Sequence, residues 1–96
     1  MATLILHKDG AYNLYSTIVD DVLYEGALTA AALEAEIRNE YGAQGLRELP
    51  DRLVRAHKRG CSSQLGQTLE QCIAGNRENL SVDAFVARYL TLPPVR

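Results

Sequence analysis

Two short runs rich in aliphatic, aromatic and β-branched residues open the chain, at 3–7 and 12–19, and the turn formers Asp9 and Gly10 lie between them. Asp-Gly between two such runs is a strong hairpin signal, because both residues tolerate positive φ. Two further aspartates then interrupt the pattern before a third short apolar run at 22–24. The start of the chain is therefore predicted to form a three-stranded antiparallel meander.

After the meander, the spacing of apolar residues changes from alternation to the i, i+3, i+4 pattern of amphipathic helices. The first helix is predicted to begin after Thr29, whose hydroxyl can cap it, and to stop at Gly42. The second helix is predicted to end at Gly60. The apolar stripes of these two helices are Ala30, Leu33, Ile37 and Tyr41, then Leu46, Leu49, Leu53 and Ala56.

Two shorter helices are predicted in the last third of the chain. Ser62 or Ser63 can cap the first of them, although Gly66 inside it costs about 1 kcal/mol relative to alanine. Ser81 can cap the second, and the Pro-Pro pair near the C-terminus prevents its continuation. Their apolar stripes are Leu65, Leu69, Cys72 and Ile73, then Val82, Phe85, Val86, Tyr89 and Leu90.

These elements predict an α+β fold, in which the N-terminal meander packs with three to four short helices in a single domain over residues 1–96. The hydrophobic fraction of 47% and the charged fraction of 23% are typical of a folded globular protein. The apolar run from Leu4 to Leu6 is too short for a signal peptide or a membrane span. We therefore expect a cytoplasmic protein, in which Cys61 and Cys72 are reduced and dispensable for function.

The net charge of −2 is distributed unevenly. Residues 1–46 carry seven acidic against two basic side chains, whereas residues 47–59 carry five basic against two acidic ones. A solvated helix face is the usual explanation of such charges. Arginine, however, is also the side chain best suited to hold phosphate or carboxylate in bidentate geometry. The basic segment is therefore predicted to bind either a nucleic-acid backbone or an acidic protein surface.

On a helical wheel the arginines of the basic segment form one stripe, which we expect to point away from the core. Lys58 flanks this stripe.

The strand tyrosines are the other candidate partner-binding residues, and their side chains could face either a partner or the core. The residues predicted to bind a partner are Arg47, Arg52, Arg55, Lys58, Arg59, Tyr12 and Tyr15.

The sequence offers no convincing catalytic or metal-binding set. His57 and Cys61 have i, i+4 spacing, but Gly60 interrupts the helix and no orienting group can be named. A metal site drawn from His57, Cys61, Cys72 and His7 matches no common zinc spacing. No glycine-rich phosphate loop is present. We therefore expect no enzymatic activity, no metal and no cofactor.

A helix-turn-helix motif is an alternative for the basic segment. Ala56, Gly60 and Leu69 have the spacing of a small residue, a turn and a packing residue in such motifs. Gly66, however, occupies a position where a β-branched residue is usual, and dedicated DNA readers are mostly basic overall. A small DNA-binding regulator stays open as a second function class.

The hairpin around Asp9 and Gly10, the strand tyrosines Tyr12, Tyr15 and Tyr24, and the segment GLRELPDRLVRAHKRGCSS from residue 45 to residue 63 resemble small orphan proteins of bacteriophages. Among these the chain is most similar to anti-CRISPR proteins that inhibit type I surveillance complexes. The resemblance implies a protein of the host bacterial cytoplasm that is not an enzyme. It implies binding to Cas subunits, in some cases with contacts to the crRNA backbone, so that target DNA cannot enter or pair.

Some members of that group act as acidic DNA mimics, and the modest net charge of −2 departs from that subtype. Contacts from the basic segment to guide-RNA phosphates fit the composition better, because lysine and arginine neutralise phosphates with release of counterions. We expect no membrane partner and no small-molecule substrate. A phage structural or assembly factor without nucleic-acid contact is the third function class.

Overall fold

A computed structural model describes residues 3–93 of the chain and contains three strands and three helices. It confirms the predicted α+β class with its N-terminal antiparallel meander. Within residues 3–93, no helix combines the length and the apolar character that a membrane crossing requires. The elements are β1 (Thr3–Lys8), β2 (Ala11–Ser16), β3 (Asp21–Val22), α1 (Ala30–Arg59), α2 (Leu69–Ile73) and α3 (Val82–Tyr89).

The sheet has the order β1-β2-β3, and both neighbouring pairs are antiparallel. Asp9 and Gly10 form the first turn with φ values of 49° and 82°, which are the positive angles that the Asp-Gly signal predicts. β2 ends at Ser16, so the predicted strand to residue 19 is too long. The chain turns instead over 17–20, and Asp20 completes this second reversal with a φ of 55°.

Both faces of the small sheet are buried, because helices cover it on each side. Side chains alternate between the two faces of a strand, so paired residues such as Ile5 and Leu14 share one face, and Leu4 and Tyr15 share the other. α1 packs on the first face, and α2 and α3 pack on the second. The core on the α1 side is Ile5, Tyr12, Leu14, Leu33, Ile37, Leu49 and Ala56. The core on the other side is Leu6, Tyr15, Cys61, Leu69, Ile73, Phe85, Tyr89 and Leu90.

The two predicted long helices form α1, which is broken where the sequence analysis places a stop. Thr29 caps the first half, since its hydroxyl accepts a hydrogen bond from the Ala32 amide at 3.1 Å. Gly42 has φ 62° and ψ −148°, a conformation that interrupts the helix and favours glycine. Gly60 ends the second half in the left-handed conformation that the prediction requires.

The helix predicted after Ser62 and Ser63 begins later than expected. α2 is capped by Thr68, which forms a capping box with Gln71, and the two serines are buried in the preceding segment. The left-handed φ of 74° at Gly66 explains the delay, because a helix cannot pass through that conformation. Leu65 is 86% exposed, so its place on the predicted apolar stripe is wrong. The N-cap predicted for α3, Ser81, is confirmed.

The helix-turn-helix geometry is not formed. The recognition helix of such a motif follows the first helix after a turn of three to four residues, whereas residues 60–68 separate α1 from α2. α2 also has only 5 residues, which is too short for a helix that must lie along a DNA groove.

Cys61 and Cys72 are joined by a disulfide across a sequence separation of 11, so the prediction of two free thiols is wrong. The spacing alone gave no sign of the bridge. Cys61 follows the end of α1 and Cys72 lies in α2, and the folding of the intervening segment brings the two side chains together. The bridge therefore ties the short helix α2 to the chain beside the sheet.

The segment that follows α1 runs antiparallel along the free edge of β1. The His7 amide donates to the Gly60 carbonyl at 3.0 Å, and the Ser62 amide donates to the Ile5 carbonyl at 2.9 Å. The Ser62 hydroxyl also accepts a hydrogen bond from the Ile5 amide at 2.8 Å. This part of the chain is therefore fixed to the sheet by backbone pairing and one buried hydroxyl.

Asn13 lies fully buried in β2 and connects three parts of the fold. Its Nδ2 group donates to the carbonyls of Tyr24, beyond β3, and Tyr89, at the end of α3, both at 3.1 Å. Its Oδ1 atom accepts a hydrogen bond from the Leu14 amide. A single buried amide thereby holds α3 and the end of the meander against the central strand.

Candidate partner-binding surface and arginine cleft on helix α1

Arg52 does not project outward as the sequence analysis predicts. It is 6% exposed, and its Nη2 atom donates to the Thr3 carbonyl at 2.8 Å. On a helical wheel Arg52 lies only about 40° from Ala56, which belongs to the core face, so the outward assignment is wrong for geometric reasons. Burial also lowers the pKa of this guanidinium below its ordinary value.

Arg55 and Arg59 are half-buried rather than free on the surface. Arg55 donates from Nε to the Ser62 carbonyl at 2.8 Å, so it anchors the segment that follows α1. The guanidinium of Arg59 lies beside the turn at Gly66, where an added Cβ atom would be 3.9 Å from the Arg59 Cζ atom. The three arginines do share one stripe of the helix, but that stripe borders the core.

The outward face of this half of α1 is formed by different residues. Arg47 and Lys58 are exposed, and neither forms an ion pair within residues 3–93. Arg47 donates to the neighbouring Gln44 side chain at 2.6 Å. Val54 between them is 65% exposed. We call Arg47, Asp51, Val54 and Lys58 the outer row, since they follow one another at helical spacing.

A cleft of about 360 Å³ lies beside the outer row, between α1, the start of β1 and the segment after α1. The Nη1 atom of Arg52 is buried and has no hydrogen-bond partner among the residues that the structure describes. Neither acidic side chain of the cleft forms an ion pair with either arginine in that part of the chain. We call this the arginine cleft, and its lining residues are Thr3, Leu4, Glu48, Asp51, Arg52, Arg55, Ser62 and Gln64.

The strand tyrosines proposed as partner contacts lie in the core. Tyr12 is 5% exposed and its hydroxyl is 2.6 Å from Nε2 of His57, while Tyr15 is 1% exposed on the opposite face of the sheet. Tyr24 is half-buried and donates to Glu36 at 2.7 Å. Burial, together with that hydrogen bond, raises the pKa of Tyr24 to about 12. Tyr12 and Tyr15 are therefore not accessible to a partner in this fold.

The histidines and cysteines considered as catalytic or metal-binding residues do not form either kind of site in the structure. His7 and His57 have ring centroids 4.4 Å apart, and the Gly10 amide donates to Nε2 of His7. Cys61 is bonded to Cys72 and so is not a free thiol beside His57. Among residues 3–93, no group of three or more histidine, cysteine and acidic side chains is placed to hold a metal ion.

No family model, curated protein or solved structure matches this chain. The binding properties of the chain must therefore be inferred from its own residues.

The arginine cleft also contains Thr3, Ser62 and Gln64, none of which the sequence analysis identified as a site residue. Thr3 and Arg52 meet over a sequence separation of 49, and no local pattern carries a signal for such a contact.

Lowering the pH is expected to destabilise the fold through His7. Burial, the neighbouring His57 and Lys8 hold the pKa of His7 below its ordinary value of 6.5, and Asp9 opposes them. The unfolded chain then binds a proton at His7 more readily than the folded chain does. The stability contribution is therefore fully present above about pH 6.5 and is lost as the pH falls from there through the folded pKa.

Urea unfolding at about pH 7.5 and about pH 5.5 measures this effect. The His7→Gln variant keeps an acceptor for the Gly10 amide but does not titrate, so its stability should change less between the two pH values. An equal pH dependence in the variant and the wild type would show that His7 is not the group responsible.

Proposed function

We propose that the protein is a non-catalytic inhibitor that binds the Cas–crRNA complex of a type I CRISPR system and sterically blocks target DNA. The observation that supports this proposal is the outer row of α1. Its two cations, Arg47 and Lys58, are exposed without ion pairs in the described part of a chain whose net charge is −2. Basic side chains that form no internal ion pair are available to an external acidic or phosphate group.

The outer row has the mixed chemistry of a protein interface. Val54 offers exposed apolar surface between the two cations, and interfaces combine an apolar centre with a polar rim. Arg47 can form charge-assisted hydrogen bonds with a crRNA phosphate or with an acidic side chain of a Cas subunit. Lys58 adds a second positive charge on the same face of the helix. Binding through these residues should weaken as salt rises, most steeply if RNA phosphates are the target.

Reversing both charges of the outer row, in the variant Arg47→Glu with Lys58→Glu, is expected to weaken binding to a purified Cas–crRNA complex roughly tenfold or more. Each replacement removes an attraction and adds a repulsion. Both side chains are exposed, so the free energy of unfolding should change by less than about 1 kcal/mol. Biolayer interferometry at low and at physiological salt measures the affinity.

The matched control is Arg38→Glu with Arg77→Glu, which changes the net charge equally at two exposed residues outside the outer row. This control should bind like the wild type. A folded outer-row variant with unchanged affinity would remove the outer row from the mechanism. If the wild-type protein fails to capture the complex from cells with a type I system, the proposed function is wrong. Salt-dependent binding to duplex DNA would then favour a regulator, and self-assembly would favour a structural factor.

A further inference from the structure

Two arginine side chains line the arginine cleft, and few of their N–H donors are hydrogen-bonded within residues 3–93. An arginine side chain carries five N–H donors. Within residues 3–93, Arg52 donates from Nη2 to the Thr3 carbonyl and Arg55 donates from Nε to the Ser62 carbonyl. The buried Nη1 atom of Arg52 has no acceptor in that part of the chain. Buried donors are almost always paired, so this N–H group of Arg52 calls for an acceptor from outside the described residues.

The two arginines are also held in place before any ligand arrives. Arg52 is fixed to β1 through Thr3, and Arg55 is fixed to the wall of the cleft through Ser62. Ser62 is itself bonded to Ile5 by its amide and by its hydroxyl. A donor set that is already ordered loses little conformational freedom on binding, which favours affinity for a small group.

The charges around the cleft limit what the acceptor can be. Glu48 and Asp51 line the same cleft as the two arginines, so the formal charges of the lining residues cancel. A phosphate dianion, or a run of backbone phosphates, would meet repulsion from both carboxylates. A single carboxylate has one negative charge, and its two oxygens match the fork of a guanidinium.

We infer that the arginine cleft is a binding site for one carboxylate group, which contacts Arg52 and Arg55. The carboxylate comes either from a small organic acid or from an acidic side chain of a protein partner. The site shares Asp51 with the outer row but neither of its cations. It does not depend on the proposed function, because the isolated protein is sufficient to test it.

The test is an NMR titration of the isotopically labelled protein with sodium acetate at constant ionic strength, with sodium chloride and sodium phosphate as comparison titrations. Acetate should cause saturable shifts of the Arg52 and Arg55 Nε–H signals and of the Ser62 amide. Chloride should cause none, and phosphate should bind more weakly than acetate. The absence of saturation with acetate, or tighter binding of phosphate, overturns the inference.

Two variants test the assignment of the residues. Arg55→Lys keeps the charge but loses the fork, so it should weaken acetate binding roughly tenfold, whereas the control Arg38→Lys should have no effect. Glu48→Gln should tighten binding roughly threefold, because it removes a repulsive charge at an exposed residue. If Arg55→Lys fails to fold, the acetate titration of Glu48→Gln still tests whether the cleft binds the carboxylate. Unchanged or weaker binding in Glu48→Gln contradicts the site.

A capped tripeptide with one central glutamate distinguishes the two sources of the carboxylate. If the peptide binds roughly tenfold more tightly than acetate, its backbone makes additional contacts and the natural source is a partner side chain. If the two bind equally, the natural source is a small organic acid. Failure of the peptide to bind at all, while acetate binds, also assigns the site to a small acid.

Discussion

Reduction of the Cys61–Cys72 disulfide is expected to lower the thermal midpoint of unfolding by roughly 10 to 20 °C. The bridge spans a sequence separation of 11, and a crosslink over a loop of that length stabilises a protein by about 3 kcal/mol through its constraint on the unfolded chain. α2, with 5 residues, is too short to persist without tertiary support. Circular dichroism melts with and without dithiothreitol measure the shift.

The control is the double variant Cys61→Ala with Cys72→Ser. Its midpoint should match that of the reduced wild type and should not respond to dithiothreitol. The alanine suits the fully buried first position, and the serine suits the half-buried second one. Equal midpoints for the oxidised and reduced wild type would mean that the bridge adds nothing to stability.

Replacing Asn13 is expected to cost about 2 to 4 kcal/mol of unfolding free energy. Asn13→Asp keeps the size of the side chain but removes the donor that satisfies the Tyr24 and Tyr89 carbonyls. It also places a carboxylate oxygen near both carbonyl oxygens in a fully buried site, where such repulsion is hardly screened. Urea unfolding near neutral pH measures the loss.

Asn39→Asp is the matched control, because the same chemical change occurs there at an exposed helix residue. That variant should stay within about 0.5 kcal/mol of the wild type. An Asn13→Asp protein as stable as the control would show that the buried amide does not hold α3 and the end of the meander to the sheet.

Several local features of the fold were predictable from the sequence, although the cap of α2 at Thr68 and the end of β2 at Ser16 were not. The Asp-Gly turn, the Thr29 and Ser81 caps and the two stops at Gly42 and Gly60 all depend on residues close together in the chain. Backbone preferences of glycine and hydrogen bonds of short polar side chains act over one to four residues. A single sequence therefore carries their signal in full.

The tertiary features were not predictable in the same way. The disulfide needs the chain between its two cysteines to fold back, and spacing alone does not reveal that. The burial of Arg52 depends on Thr3, which is distant in sequence, and the orientation of the arginine stripe was misjudged because it borders the core. The burial of Asn13 was also not predictable. A polar residue in a strand usually faces solvent, whereas this sheet is covered on both sides.

The expected location in the cytoplasm stays a prediction. If it is right, it affects the stability of the fold through the Cys61–Cys72 disulfide. A reducing compartment keeps most thiols unpaired. A protein that resides there would lose the stabilisation that the Cys61–Cys72 bridge supplies. Its stability in the cell would then rest on the two apolar cores that enclose the sheet.

The pairing of residues 60–62 with β1 limits how any partner can approach. An exposed edge strand offers unpaired amides and carbonyls, and many proteins recognise a partner by adding a strand there. In this fold the Ile5 and His7 backbone groups of that edge are already bonded to Gly60 and Ser62. A foreign strand would have to displace them. Recognition at the β1 side of the sheet must therefore use side chains on helices and loops, and the covered edge also protects this side of the protein against edge-to-edge aggregation.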